Sequence, residues 1–294
     1  MAAVDYINPI FVKDAKISLR KTRAALLQLL FIGVLFILTL MLWPQGGVYS
    51  IAAQSARQLF TVLGMGQLAL VVLFAPAFTA VALTMEKERN TMDLLYGTLM
   101  SPAAIAWGKI LGGLFFLALV VLSSLPITSV CLALGGVNMQ DVLRLYLVLC
   151  LAALSFGLIG LTVSAFCQQT HIAVIITYGI IIALSGLFVV PAMMFFREAS
   201  KYAPHLHFLR SFSPFVAMIS VVQPNFFGFT GEVKELMEPW QLFTYISVTI
   251  SVVCTALLFG KLSKAPAPRP RRETAQANEK FMKRMSHWPF YLIN

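Results

Sequence analysis

Apolar residues run through this chain in blocks of about twenty or more, separated by short polar stretches. A helix needs roughly 20 apolar residues to cross a bilayer. The pattern predicts six spans: Ala24 to Trp43, Leu59 to Thr84, Ile105 to Leu134, Leu145 to Phe166, Ile172 to Phe196 and Gln241 to Gly260. Pro44 and Gly135-Gly136 close the first and third spans with residues that helices reject or use as stops. A barrel would instead show alternating segments of about ten residues. The expected fold is an all-α integral membrane protein.

The connections are polar and mostly short. The first loop carries Gly46, Gly47 and Arg57, the third Asp141 and Arg144, and Cys167-Gln168-Gln169-Thr170-His171 links the fourth span to the fifth. The longest non-spanning segment, 197–240, contains an apolar part, Phe212 to Phe229, broken by Pro214, Pro224 and Gly228. Too short to span, it is predicted as a re-entrant or interfacial hairpin before span six. Upstream of the first span, Asn8-Pro9 starts a helix. Phe11, Ala15, Leu19 and Thr22 share one face of it, and Lys13, Lys16, Arg20 and Arg23 the other, which predicts a helix lying in the membrane surface. The parts are then 1–23, the amphipathic helix; 24–260, the six-span domain; and 261–294, a basic tail made stiff by Pro266, Pro268 and Pro270.

Composition agrees. The 294 residues are 59% hydrophobic and 12% charged, against roughly 45–50% and about 25% in soluble domains. No cleavable signal opens the sequence, so the first span is expected to stay as an anchor. The four cysteines lie in or beside apolar runs without metal or disulfide spacing and are read as packing residues. Lys and Arg number five before span one, three in the stretch 85–109 and eight from Lys261 onward, against six on the opposite side. That bias places both termini and the 85–109 stretch in the cytoplasm. It also accounts for most of the +10 charge, so no nucleic-acid partner is expected.

The spans are read as free of Asp, Glu, Lys and Arg, unlike proton- or sodium-coupled carriers, which need ionisable groups within the membrane. Gln28, Gln67, Ser123, Ser124, Thr128, Ser164, Thr177 and Ser185 are expected to join helices by hydrogen bonds. Enzyme chemistry finds little to stand on. His205 and His207 are a weak metal signal, and Ser164 and His171 lack an acidic third member. No phosphate loop exists, because Gly108-Lys109 is followed by Ile110 and Gly260-Lys261 by Leu262. If ATP is used, another chain binds it.

The stretch Met85 to Lys109 interrupts the oil with Glu86, Lys87, Glu88, Arg89 and Asp93. Asn90-Thr91 caps a short predicted helix with Met92, Leu94, Leu95 and Leu99 as apolar knobs, and Ser101-Pro102 restarts the chain as span three. A short transverse helix held by two spans is mechanically suited to transmit a partner's motion. Here the sequence resembles the permease subunits of the type-2 ABC exporter family, whose first cytoplasmic loop reads E-x-E-x-G-T, then L-L, P and G-K. Glu86, Glu88, Thr91, Leu94, Leu95, Pro102, Gly108 and Lys109 match in order, with Asn90 where the family has Gly. The resemblance implies a cytoplasmic ABC ATP-binding subunit docked under a coupling helix, with ATP and Mg on that subunit and no cofactor in this chain. It also implies a second permease copy or paralogue in surrounding lipid. Glu86, Glu88 and Arg89 would then contact the ATPase, with Met92, Leu94 and Leu95 in its groove; Thr91, Asp93, Pro102 and Lys109 complete the candidate site. The alternative from another class is a non-transporting scaffold that recruits a soluble partner through the same loop.

Overall fold

The structure is a computed structural model that describes residues 11–12, 15–16, 20, 22–43, 49–89, 102–187, 203–223 and 237–263. Among the described residues it is helical throughout, with α1 (Thr22–Met41), α2 (Tyr49–Thr79), α3 (Thr84–Glu88), α4 (Pro102–Ser123), α5 (Leu125–Ala133), α6 (Met139–Phe166), α7 (Thr170–Ile182), α8 (Ala203–Arg210), α9 (Pro214–Val222) and α10 (Pro239–Ser263). A π-helical turn, Ala183–Leu187, continues α7.

Among these residues, five stretches are long and apolar enough to cross a membrane: Ala24–Met41, Ala56–Glu88, Trp107–Ala133, Met139–Phe166 and Pro239–Ser263. They coincide with five of the predicted spans. The remaining predicted span, Ile172 to Phe196, is described only to Leu187, and its residues 188–196 lie outside the described residues. The tail beyond Ser263 and the stretch 90–101 also lie outside them.

Helix α6 is the hub. In its most apolar window 72% of residues are buried, against 22% in α1 and in α10. It packs against α2, α4, α7, α9 and α10, while α1 turns Leu26, Leu29, Phe36 and Leu40 outward. Lipid tails are as apolar as leucine, so close packing and hydrogen bonds, rather than water exclusion, hold spans together. The contacts follow that rule. Thr162 of α6 donates to the Cys254 carbonyl of α10 (3.2 Å), and the Tyr146 hydroxyl sits 3.0 Å from Ser124 and 2.6 Å from Thr128. Ser124 and Thr128 thus join spans as expected, whereas among the described residues Ser123 and Thr177 bond carbonyls of their own helices.

Several boundaries differ from the sequence pattern. Helix α2 begins at Tyr49, so Arg57 is helical rather than in a loop. Helix α6 begins at Met139, so Asp141 and Arg144 sit in its first two turns. A first-turn carboxylate suits the positive helix end, and Arg144 lies over the Trp240 ring at 5.3 Å. Apolar content ends a predicted span where charge begins, but the backbone continues through it. Gly135, at φ +76°, does stop the third span, just past α5, in the left-handed conformation glycine permits.

The upstream segment partly follows its predicted faces. Ala15 is buried and Phe11 packs edge-on against Phe115 of α4 at 5.6 Å, while Lys16 and Arg20 are exposed. Thr22, expected on the apolar face, is exposed. Cys131 is buried, but Cys150 faces outward and packs no core.

In the half of the bundle near the start of α6, α9 fills the space between long helices, and α8 packs on α10 with Phe208 and Leu209 exposed. Helix α9 is apolar and buried, nine residues long, and packed on α2, α6 and α10. Its Met218 and Val222 would lie 3.5 and 3.6 Å from a Cβ at Gly64. Ser213 before it donates to the Ser185 carbonyl at 2.8 Å. His207 of α8 is enclosed too; burial, then the nearby Arg210 charge, brings its pKa down to about 4, leaving the ring neutral.

Candidate coupling site

The second span does not leave the bundle as a continuous helix. Pro76 has no N–H to give, which weakens the ladder around it, and the Tyr178 hydroxyl of α7 bonds the Leu73 carbonyl in that region (2.6 Å). Helix α2 ends at Thr79, residues 80–83 form a turn, and α3 follows. At this break the N–H groups of Leu83 and Thr84 both donate to the Ser164 hydroxyl of α6, at 3.1 and 3.0 Å. A side chain inserted into the ladder is one of the identifiable causes of a helix irregularity.

Close approach makes this possible. A Cβ on Gly160 would meet Thr79 Oγ1 at 2.1 Å and the Ala80 backbone nitrogen at 3.2 Å, and one on Gly157 would meet Leu114 at 2.5 Å. Gly157, Gly160 and Ser164 follow the i, i+3, i+7 spacing of one helix face. Gly160 and Ser164 face the bend of the second span, while Gly157 admits Leu114 of α4 and has Thr79 only at 3.6 Å.

The charges of α3 then fasten three different elements. Glu86 pairs with Lys109 of α4 at 2.7 Å, with the two side chains 18% and 4% exposed. Lys87 donates to the carbonyls of Ser164 (2.9 Å), Ala165 (2.6 Å) and Cys167 (2.8 Å) at the end of α6. Last-turn carbonyls have no helical partner and carry the negative pole of the dipole, so an ammonium is well placed there. Glu88 accepts from the Thr170 N–H, the first of α7, at 2.6 Å. Gln169, in the cap position, makes no side-chain cap bond itself, so a carboxylate from another helix serves the positive pole. Arg89 is exposed at the end of α3.

The expectation of charge-free spans fails at Lys109, which already falls within Ile105 to Leu134. It lies in the second turn of α4 and is buried, held by a carboxylate from the neighbouring stem. Pro102 opens α4, where its missing N–H costs nothing. The last turn of α10 reaches the same end of the bundle. Lys261 stands 5.3 Å from the Phe166 ring, and Phe259 packs on Trp107 at 5.6 Å. Residues 85–89, the start of α4, the Cys167–Thr170 link and the end of α10 therefore share one end.

Of the predicted site residues, the structure brings together Glu86, Glu88 and Lys109, with Arg89 and Pro102 at the edges. Thr91, Met92, Asp93, Leu94 and Leu95, and the predicted short helix they belong to, lie outside the described residues. Sequence reasoning passed over Lys87, which sits in a charged run that looks solvated, and gave no role to Gly157 and Gly160. The small-residue spacing on one face of α6 was the available signal.

A family model described as ABC-2 type transporter matches residues 10–227, a stretch that holds α1 to α9 and the whole fastened stem. A comparison with curated proteins finds no match. Membrane components of this family generally work with an ATP-binding subunit. With the family model covering well over half its length, the chain belongs to the ABC-2 type transporter family and is a transmembrane permease component of an ABC transporter.

Proposed function

We propose that this permease is an exporter or flippase half-unit driven by a separate cytoplasmic ATP-binding subunit that docks against the 85–109 stretch. Both termini and this stretch face the cytoplasm, in a plasma (bacterial inner) membrane, and 197–240 faces outward. ATP and its Mg ion reside on the partner, and a second permease, identical or related, completes the pathway. The observation that carries the reading is the fastening of the stem. Glu86, Lys87 and Glu88 tie α3 to α4, α6 and α7, so a push on the residues that follow is delivered to four spans. Glu86 is turned inward in this arrangement, and Arg89 with the exposed side of Glu88 supplies the polar contact to the partner. Met92, Leu94 and Leu95 fill its groove, flanked by Thr91 and Asp93.

A double change, Leu94→Asp with Leu95→Asp, tests this. Two carboxylates in an apolar groove lose their hydration without a partner charge. The expected result is a permease that folds normally, no longer retains the ATP-binding subunit on co-purification and no longer couples ATP hydrolysis to transport. Unchanged association and unchanged coupled hydrolysis would overturn the docking assignment.

A further inference from the structure

We infer that Lys87 is a positioning residue for coupling: it makes the stem of the 85–109 stretch and the α6–α7 link one mechanical unit. The inference rests on the proposed docking role of that stretch and adds a second route by which its motion reaches the bundle.

The hydrogen-bond pattern points to it. Across the stem, the described bonds to the α6–α7 junction are two backbone N–H groups on Ser164 Oγ, three carbonyls on Lys87 Nζ and one N–H on Glu88 Oε1. The junction is only Cys167, Gln168 and Gln169 long, with opposite helix poles on its two sides. Adjacent residues of opposite charge, Lys87 and Glu88, match those poles in order. An ammonium has three donors, and Lys87 places all three on carbonyls that α6 leaves unserved. A solvated topology anchor has no need of that geometry. The long way round the chain between the two sites crosses α4, α5 and α6, so the clasp is the direct connection between the stem and the link. Lys261, whose charge reaches Lys87 from the last turn of α10, opposes the lysine's charge but lies outside these bonds.

The result is that the stem cannot tilt relative to spans two and three alone. A displacement of the stem carries the end of α6 and the start of α7 with it, and so reaches the helix that lies at the centre of the bundle.

Spin labels at positions 89 and 168, both exposed, report the separation of stem and link by pulsed electron resonance. The four native cysteines are first replaced; the clasp uses only the backbone carbonyl of Cys167. In the full chain reconstituted alone into liposomes, the background protein is expected to give one narrow distance peak. Lys87→Met should lose that peak to a broad distribution reaching longer distances, and Lys87→Arg, which restores donors and charge, should recover it. Loss of three charge-assisted bonds is expected to shift the closed-to-open ratio by about tenfold or more. A peak in Lys87→Met as narrow as in the background protein would overturn the inference. Should Lys87→Met not survive purification, Lys87→Gln, which removes the charge and cannot serve three carbonyls, is judged by the same two outcomes. The liposome experiment contains no ATP-binding subunit, so its result stands apart from the docking proposal.

Discussion

Replacing Gly160 by leucine is expected to prevent a stable bundle from forming. Even the first carbon of the new side chain would stand 2.1 Å from Thr79 Oγ1 and 3.1 Å from its Cβ. Thr79 cannot simply turn away, since its hydroxyl is bonded to the Ala75 carbonyl at 2.7 Å. Behind it lies the Ala80 backbone nitrogen, bonded to the Pro76 carbonyl. Accommodation means moving the second span off α6, which pulls Leu83 and Thr84 from the Ser164 hydroxyl. Overpacking typically costs about 1–3 kcal/mol and occasionally more. With backbone as the obstacle, the expected cost here is about 3 kcal/mol or more. The measurement is the monodisperse fraction and thermal midpoint of the detergent-purified protein. Gly179→Leu is the matched control, because a Cβ there meets nothing within 4 Å. The control should behave as the wild type.

The second large effect is expected at Lys109. Lys109→Met removes an ammonium that lies 2.7 Å from Glu86 with only 4% of its side chain exposed. Breaking a buried pair by removing one partner costs about 3–5 kcal/mol, because the other charge stays behind in a poorly hydrated place. Glu86 is 18% exposed, so some of its hydration survives and about 2–4 kcal/mol is the expected loss. Adding Glu86→Gln should recover part of it, since the carboxylate's charge is then gone. A double-mutant cycle on the thermal midpoint measures the difference. Equal destabilisation in the single and double variants would show that the pair carries no coupling energy.

Much of this architecture was legible in the residues because the bilayer imposes coarse rules. Span-length apolar runs locate helices whatever their neighbours are, and Pro102 and Gly135 mark ends through backbone properties they carry everywhere. Helix starts at Tyr49 and Met139 were missed for the opposite reason. Arg57, Asp141 and Arg144 look like loop residues by charge, but a helix continues past the apolar zone as long as its backbone bonds continue.

The break in the second span could not be read locally. Pro76 announces a disturbance, yet the turn at residues 80–83 exists because Ser164, some eighty residues away, takes the N–H groups of Leu83 and Thr84. The same holds for the charged run. Glu-Lys-Glu-Arg reads as solvated until helix ends from distant parts of the chain are brought to it, and only then do Glu86, Lys87 and Glu88 acquire three different partners. The burial of α9 likewise needed the long helices in place, since nothing in Pro214 to Val222 says what covers it.

The proposed docking role places an ATP-hydrolysing partner against the 85–109 stretch. A photo-crosslinking amino acid at Leu95, introduced in the full-length chain in its native membrane, tests it most directly. Illumination is expected to give one covalent adduct with a soluble subunit whose sequence contains a phosphate-binding loop, and ATP with vanadate should change its yield. Labelling of lipid alone, with no such subunit attached, would rule that docking role out.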